Sequence, residues 1–207
     1  FRDVWFKTSF LLDSEQTNMD ECKSRFLNYK NQKLKYKFPN SFTGKIKKGS
    51  YKKNIIAAVI REKGINSERE MAYMLHLSGF EVKDVHMTDL VSGKENLENV
   101  NMVVFPGGFS NSDVLGSAKG WAGAFKYKER AKKAINQFYS RSNTLSLGVC
   151  NGCQLMMELN LIDKKLNGNH PKMEHNNSKK FECTFSGIDI LESNAVMLKN
   201  LSGSTLG

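Results

Sequence analysis

A cysteine between two glycines is the residue best placed to do chemistry. Cys150 lies in the string 148–152, Gly-Val-Cys-Asn-Gly, between an apolar run at 145–149 and a helical pattern. Flanking glycines let the backbone turn sharply and present a nucleophile at the tip of a strand-to-helix elbow. The amino-terminal end of the following helix favours the thiolate, the reactive form of cysteine. The pattern therefore predicts that Cys150 is a nucleophile.

A second glycine-rich loop follows another apolar run. The string 106–110, Pro-Gly-Gly-Phe-Ser, comes directly after the run at 102–105. In open parallel sheets, ligands bind beyond the carboxyl ends of the strands, so this loop and the elbow are expected to face one site. Gly107 and Gly108 let backbone amides approach a ligand closely, and with the Asn151 amide they predict an oxyanion hole.

The pair Cys150 and Cys153 has the C-x-x-C spacing, which also occurs in redox dithiols and in half of a zinc site. A four-ligand zinc site needs a second close pair of ligands. The remaining candidates, Cys183, His170 and His175, stand at irregular separations, so we predict no metal site. A buried inert cysteine and an oxidation-sensing cysteine remain alternatives to the nucleophile.

Apolar runs and helical patterns alternate through the middle of the chain. The runs are 55–60, 80–86, 102–105 and 145–149. Ser67 and Glu70 predict a capping box for a helix over 67–78, and one long helix is predicted between the last two strands. Continuous apolar strands that alternate with helices predict an α/β fold with a doubly wound, mostly parallel sheet.

The pattern changes beyond residue 161. A polar stretch leads to two strand-like pieces, 181–185 and 195–198, with no helical pattern between them. They predict an antiparallel extension at the edge of the sheet. At the other end of the chain, residues 1–27 carry apolar side chains at helical spacing and predict a helix whose apolar face needs a partner.

Positive charge is concentrated in one segment. Residues 23–53 hold eleven Lys or Arg and no Asp or Glu, so they contribute +11 to a net charge of +10, and the remainder sums to −1. A basic run without apolar periodicity is typical of a solvated linker, and we predict no nucleic-acid partner. A basic interaction module remains the alternative.

Two further features bear on location. The sequence contains no continuous apolar stretch of the roughly 18–20 residues that a membrane helix needs, and no signal-peptide pattern. Its four cysteines are too few for a disulfide scaffold. We therefore predict a cytoplasmic protein without a membrane partner.

Four strings together resemble one known family. They are 104–110 (Val-Phe-Pro-Gly-Gly-Phe-Ser), 113–116 (Asp-Val-Leu-Gly), 120–122 (Gly-Trp-Ala) and 147–154 (Leu-Gly-Val-Cys-Asn-Gly-Cys-Gln). They are similar to the glutaminase domain of phosphoribosylformylglycinamidine synthase, a class I glutamine amidotransferase with a flavodoxin-like fold. The resemblance covers about 53–207, whereas 1–52 resembles the tail of the preceding synthetase domain and a basic linker.

The resemblance implies a function and roles for individual residues. Cys150 would attack the side-chain amide of L-glutamine and release ammonia through a thioester. Gly107, Gly108 and Asn151 would form the oxyanion hole, and Gln154 and Phe181 would lie near the glutamine. The synthetase domain of the same polypeptide would use ATP and Mg²⁺ to transfer ammonia to formylglycinamide ribonucleotide in purine synthesis. The glutaminase segment itself would need no cofactor or metal.

One part of the family pattern does not match. The family's catalytic histidine and glutamate come after a stretch that resembles residues 201–207, so the resemblance places both beyond Gly207. His170 and His175 lack an acidic residue at the expected spacing. We therefore assign no catalytic base within the chain and expect its amidotransferase domain to be truncated.

Overall fold

A computed structural model describes residues 1–28, 34–45, 54–162, 170–183 and 185–207. The chain divides into two units, one formed by Phe1–Ile46 with Glu174–Gly207 and the other by Lys47–Met173. We call them the terminal unit and the α/β unit. Much of the basic segment 23–53, namely 29–33 and 46–53, lies outside the described residues.

Helices and strands alternate in the α/β unit, and the terminal unit contributes elements at both ends of the chain. The elements in chain order are α1 (Arg2–Gln16), α2 (Met19–Asn28), β1 (Ile56–Arg61), α3 (Glu68–Leu77), β2 (Glu81–His86), α4 (Met87–Ser92), β3 (Met102–Phe105), α5 (Lys119–Tyr127), α6 (Glu129–Ser140), β4 (Leu145–Gly148), α7 (Asn151–Glu158), β5 (Ile188–Asp189) and β6 (Thr205–Leu206). No helix in the described stretches has the length and apolar character that crossing a membrane requires.

The α/β unit is built on a four-stranded parallel sheet in the order β2-β1-β3-β4. All of β3 and the four middle residues of β1 are buried, which explains their continuous apolar sequences. On one face of the sheet, Val59 and Val104 pack with Leu75 of α3. On the other face, Phe105 packs with Trp121 and other residues of α4 to α7. The predicted doubly wound fold is confirmed.

The predicted long helix is wrong. The chain takes an extended conformation at Lys128 (φ −101°, ψ 108°), which separates α5 from α6. Phe125 and Ala131, both buried, are six residues apart. Six residues turn an α-helix by about 600°, so a single helix would carry these two side chains about 120° apart. The break gives α5 and α6 separate directions, and both pack buried side chains into the same core.

The predicted capping box at Ser67 is also wrong. Ser67 is left-handed (φ 69°), and its side chain makes no capping hydrogen bond to α3. A capping box occurs instead at α4, a helix that sequence patterns missed. There His86 Nδ1 accepts from Thr88 N at 3.2 Å, and Asp89 Oδ2 accepts from His86 N at 3.4 Å. Histidine is not among the favoured capping residues, which explains why α4 was missed.

The terminal unit contains two helices and a short antiparallel sheet. β5 and β6 form a two-stranded sheet of their own. The antiparallel element is therefore present, but its strands are 188–189 and 205–206 rather than the predicted 181–185 and 195–198. The described residues of those two segments form loops and turns, and residue 184 lies outside the description. Phe181 and Phe185 are exposed, so no buried face selects a strand there.

An ionic cluster connects segments of the terminal unit. Arg25 of α2 pairs with Asp13 of α1 at 2.5 Å and with Glu182 at 2.7 Å, and Lys180 also pairs with Asp13. Within the described residues, no side chain of α1 is buried and only Cys22 is buried in α2. These ion pairs therefore link α1 and α2 to residues 180 and 182 in a unit whose helices have little fully buried apolar surface.

Candidate active site

Cys150 occupies the strand-to-helix turn that the sequence predicts. It joins β4 to α7 with φ 52° and ψ −111°, a conformation that non-glycine residues rarely adopt, and its side chain is exposed. Hydrogen bonds fix the turn on both sides, from Val149 N to Phe105 O at 3.0 Å and from Gly152 N to Val149 O at 2.9 Å. Strained residues of this kind occur preferentially at active sites.

The glycines around Cys150 are required by close packing. A Cβ atom on Gly152 would lie 1.9 Å from the carbonyl oxygen of Phe105, which is closer than any real contact. A Cβ atom on Gly148 would lie 2.7 Å from the carbonyl oxygen of Gly152 and 2.9 Å from Cys153 N. Because α7 begins directly against β3, only glycine fits at these two positions. The elbow is therefore held by backbone contacts.

The loop after β3 lies directly beside the elbow. A Cβ atom built on Gly107 would be 3.2 Å from Cys150 Cβ. Gly108 has φ 134°, and a Cβ atom there would lie 2.7 Å from Gly64 O. Hydrogen bonds from Asn66 N to Gly107 O (3.0 Å) and from Phe109 N to Gly64 O (2.9 Å) fasten the loop. The predicted meeting of the two glycine loops is present.

Two backbone amides near Cys150 remain available to a ligand. Among the described residues, the amides of Gly108 and Asn151 have no hydrogen-bond acceptor. Gly108 follows Gly107, where an added Cβ atom would lie 3.2 Å from Cys150 Cβ, and Asn151 directly follows Cys150. Unpaired amides beside a nucleophile have the chemistry needed to stabilise a developing oxyanion.

Asn151 carries a buried side chain that connects several parts of the site. Its Oδ1 accepts from Ser110 N at 3.1 Å, and its Nδ2 donates to both carboxylate oxygens of Asp113 at 3.1 and 2.9 Å. The same Nδ2 donates to Gln154 Oε1 at 2.9 Å. The structure thus brings the predicted site residue Gln154 to the Asn151 side chain, and it adds Asp113, to which sequence patterns gave no role.

Asp113 belongs to a loop with an unusual backbone. Asn111, Ser112 and Asp113 are consecutive non-glycine residues with left-handed φ values of 52°, 57° and 47°. Val114 and Leu115, which follow, are exposed by 82% and 67%. The sequence marked Asp113 only as part of the string 113–116 that resembles the family, and its contact with Asn151 was not predicted.

The described residues supply no histidine as a partner for the cysteine. None of the histidine side chains in the described part of the chain makes a hydrogen bond to Cys150. His76 lies on α3, and His86 caps α4. His170 and His175 lie in loop segments. The structure therefore gives no reason to assign a base to any of these four.

Phe181 was predicted to lie near the bound glutamine. It belongs to the terminal unit and is 86% exposed. Its role stays a prediction.

The metal alternative gains no support, because no group of three His, Cys, Asp or Glu suited to a metal ion occurs among the described residues. All four cysteines lie within the described stretches and are free thiols.

Comparison with known proteins decides the family. Residues 54–207 match the family model described as the CobB/CobQ-like glutamine amidotransferase domain. The chain belongs to this family. The match includes both glycine loops, the elbow cysteine and the Asp113–Asn151 contact, so the amidotransferase segment contains the whole constellation described above.

Relatives from three organisms are similar over nearly all of the chain. A probable phosphoribosylformylglycinamidine synthase, chloroplastic/mitochondrial, of Arabidopsis thaliana is 39% identical over 216 residues, which is 100% of this chain and 15% of the relative. The phosphoribosylformylglycinamidine synthases of Dictyostelium discoideum and Drosophila melanogaster are 41% and 36% identical, over 98% of this chain and 16% and 15% of their own lengths. The chain thus spans about a sixth of these relatives.

A solved structure, that of PurLQS from Thermotoga maritima, is also similar. It shares 25% sequence identity with a TM-score of 0.42, over 53% of this chain and 46% of that one.

Proposed function

We propose that this chain is the glutaminase segment of a phosphoribosylformylglycinamidine synthase. One observation carries the proposal: an exposed cysteine lies at a strained elbow, and the amides of the next residue and of Gly108 in the neighbouring loop have no acceptor among the described residues. Family membership supplies glutamine as the substrate class. The names of the three relatives supply the wider reaction.

The reaction at the elbow proceeds in two steps. The Cys150 sulfur attacks the side-chain carbonyl carbon of L-glutamine, and the carbonyl oxygen becomes an oxyanion that accepts hydrogen bonds from the amides of Gly108 and Asn151. The carbon–nitrogen bond then breaks, the nitrogen takes a proton and leaves as ammonia, and a glutamyl thioester remains. Water hydrolyses the thioester to glutamate and frees the thiol.

The ammonia is consumed elsewhere in this proposal. A synthetase domain of the same polypeptide uses ATP and Mg²⁺ to exchange the amide oxygen of formylglycinamide ribonucleotide for nitrogen, as a step of purine synthesis. Residues 53–207 form the amidotransferase part in this proposal, and 1–52 belong to the synthetase tail and linker. The 15–16% of the relatives' length that the chain spans supports a shared polypeptide.

The proposal includes a cytoplasmic location and no nucleic-acid partner. Four free cysteines support a reducing compartment. Fluorescence microscopy of the tagged protein tests the location, and a signal confined to an organelle would contradict it. Binding of labelled RNA or DNA that weakens steeply with salt would contradict the second part.

The test is a nitrogen-source experiment on the synthase that carries this segment. Cys150→Ala should abolish synthesis of formylglycinamidine ribonucleotide from glutamine and leave synthesis from ammonium chloride intact, because the thiol serves only to release ammonia. Cys153→Ala is the matched control and should retain both activities. Equal loss of both activities in Cys150→Ala would contradict the division of labour.

A further inference from the structure

The side chain of Asn151 is held in one orientation. It is 1% exposed, and its oxygen and nitrogen are both used: Oδ1 accepts from Ser110 N, while Nδ2 donates to Asp113 and to Gln154. A reversed amide would place its NH₂ group against the Ser110 N–H and its oxygen against the carboxylate. Both contacts would be repulsive, so the network selects a single orientation.

The carboxylate of Asp113 accepts hydrogen bonds from its own loop as well as from Asn151 of α7. Its Oδ1 accepts from Ala118 N at 3.2 Å at the far end of the loop, in addition to the contact with Asn151 Nδ2. Asn111, Ser112 and Asp113 itself are all left-handed, which is unfavourable for residues with a Cβ atom. A backbone of this kind persists only where surrounding contacts hold it. The Asp113 carboxylate supplies two such contacts.

The same network reaches both proposed oxyanion donors. Ser110, whose amide bonds Asn151 Oδ1, comes two residues after Gly108. Asn151 supplies the other donor with its own backbone amide. One buried side chain therefore links the segments that carry the two amides, and Asp113 fixes that side chain.

We propose that Asp113 is a positioning residue for glutamine hydrolysis, which fixes the Gly108 and Asn151 amides relative to Cys150 through the Asn151 side chain. The inference rests on the proposed glutaminase function and assigns Asp113 no contact with the substrate. Oxyanion donors act only over a narrow range of distances, and a displacement of about 1 Å in a reacting geometry can cost roughly 10²-fold in rate. Small shifts of this loop therefore have large effects.

Asp113→Asn is the informative substitution. It keeps the size of the side chain, but in either orientation the new amide places an N–H group against another donor, either Asn151 Nδ2 or Ala118 N. Asp89→Asn is a matched control in the same unit, because Asp89 accepts from a backbone amide at the start of α4 and pairs with Lys94 at 3.5 Å. Neither contact of Asp89 involves the loop 106–110 or the elbow 148–152.

The readout compares two alkylating agents on the 207-residue chain. A glutamine-like chloroketone, 2-amino-5-chloro-4-oxopentanoate, alkylates the thiolate with loss of chloride, and its ketone oxygen uses the oxyanion hole. Iodoacetamide also forms an S–C bond, with loss of iodide, but needs no oxyanion hole. The ratio of the two rates at Cys150, measured by peptide mapping, therefore reports donor placement separately from thiol reactivity and folding.

We expect Asp113→Asn to lower the chloroketone-to-iodoacetamide ratio about tenfold or more, and Asp89→Asn to leave it unchanged. An unchanged ratio in Asp113→Asn would overturn the positioning role. A parallel fall in both rates, with loss of helical circular dichroism, would show a structural role instead and would also overturn it. If Asp113→Asn is insoluble, Asp113→Ser provides the same test, because the serine hydroxyl keeps one hydrogen-bond acceptor. An unchanged chloroketone-to-iodoacetamide ratio in Asp113→Ser overturns the proposal.

If the proposed glutaminase function is wrong, the two alkylation rates at Cys150 show a different pattern. If the unsubstituted chain shows no preference for the chloroketone over iodoacetamide at Cys150, the glutamine site itself is wrong and the positioning role falls with it. A clear preference in the unsubstituted chain that survives Asp113→Asn overturns only the positioning role.

Discussion

The two units of the chain use different interactions. In the α/β unit, β1 and β3 are buried and large side chains such as Trp121 and Phe138 are completely enclosed. In the terminal unit, Val4 and Trp5 of α1 are exposed by 80% and 79%, and ion pairs connect α1 and α2 with residues 180 and 182. Full burial of one large apolar side chain contributes about 1.5–3 kcal/mol, whereas an exposed ion pair contributes about 0–1 kcal/mol. The nucleophile is thus built on the unit with the larger core.

This comparison leads to different expectations for the glycines of the two units. Gly152→Ala should lower the free energy of unfolding of the α/β unit by about 3 kcal/mol, because the added Cβ would meet Phe105 O at 1.9 Å and force α7 away from β3. Urea unfolding followed by circular dichroism measures the change. Reactivity of Cys150 should fall with it.

The matched control lies in the terminal unit. Gly203 has φ 78°, and a Cβ atom there would meet nothing within 4 Å. Gly203→Ala should therefore cost only the penalty of a left-handed alanine, about 1–2 kcal/mol, and leave Cys150 reactivity intact. Equal losses in the two variants would contradict the claim that the elbow is set by close backbone packing.

A smaller effect should follow from the ionic cluster. Hydrogen bonds from Lys180 first, and then from Arg25, hold the pKa of the Asp13 carboxyl well below its usual range. A lowered pKa means that Asp13 stabilises the folded state at pH values above about 3.9, the ordinary value, and that this contribution is lost as the pH falls through the lowered pKa. Asp13→Asn should therefore destabilise the terminal unit by about 1 kcal/mol at pH 7 and by progressively less in acid.

Proteolysis of α1 and α2 as a function of pH measures this difference. Asp3→Asn is the control on the same helix, because Asp3 is 58% exposed and pairs only with Arg2 at 3.2 Å among the described residues. A difference between Asp13→Asn and the unsubstituted chain that grows towards low pH would contradict the assignment.

Prediction from sequence succeeded where the determining contacts are local. The run 102–105 became a strand over the same residues because a continuous apolar stretch can be buried on both faces of a parallel sheet. The elbow at Cys150 was predictable because flanking glycines and the change from strand to helix lie within a few residues. The proximity of Gly107 followed from the general geometry of parallel sheets.

Other features depend on contacts that local patterns do not contain. The break at Lys128 separates two helices that pack into the same core, and no residue near Lys128 marks it in the sequence. Asp113 and Asn151 are 38 residues apart, and only the fold brings them together. Strands β5 and β6 are two residues each and pair with one another, so no run of sequence marks them. Tertiary packing decided each of these cases.

The most direct test of the central claim is competition among the four cysteines for the glutamine-like chloroketone. We expect that Cys150 reacts first, that L-glutamine but not D-glutamine slows this reaction, and that Cys22 reacts last. Cys22 is 1% exposed, and burial, followed by a hydrogen bond with Asp13, raises the pKa of its thiol. Peptide mapping after limited labelling gives the order. Predominant labelling of Cys153, or labelling of Cys150 that L-glutamine does not slow, would contradict the claim that Cys150 is the glutaminase nucleophile.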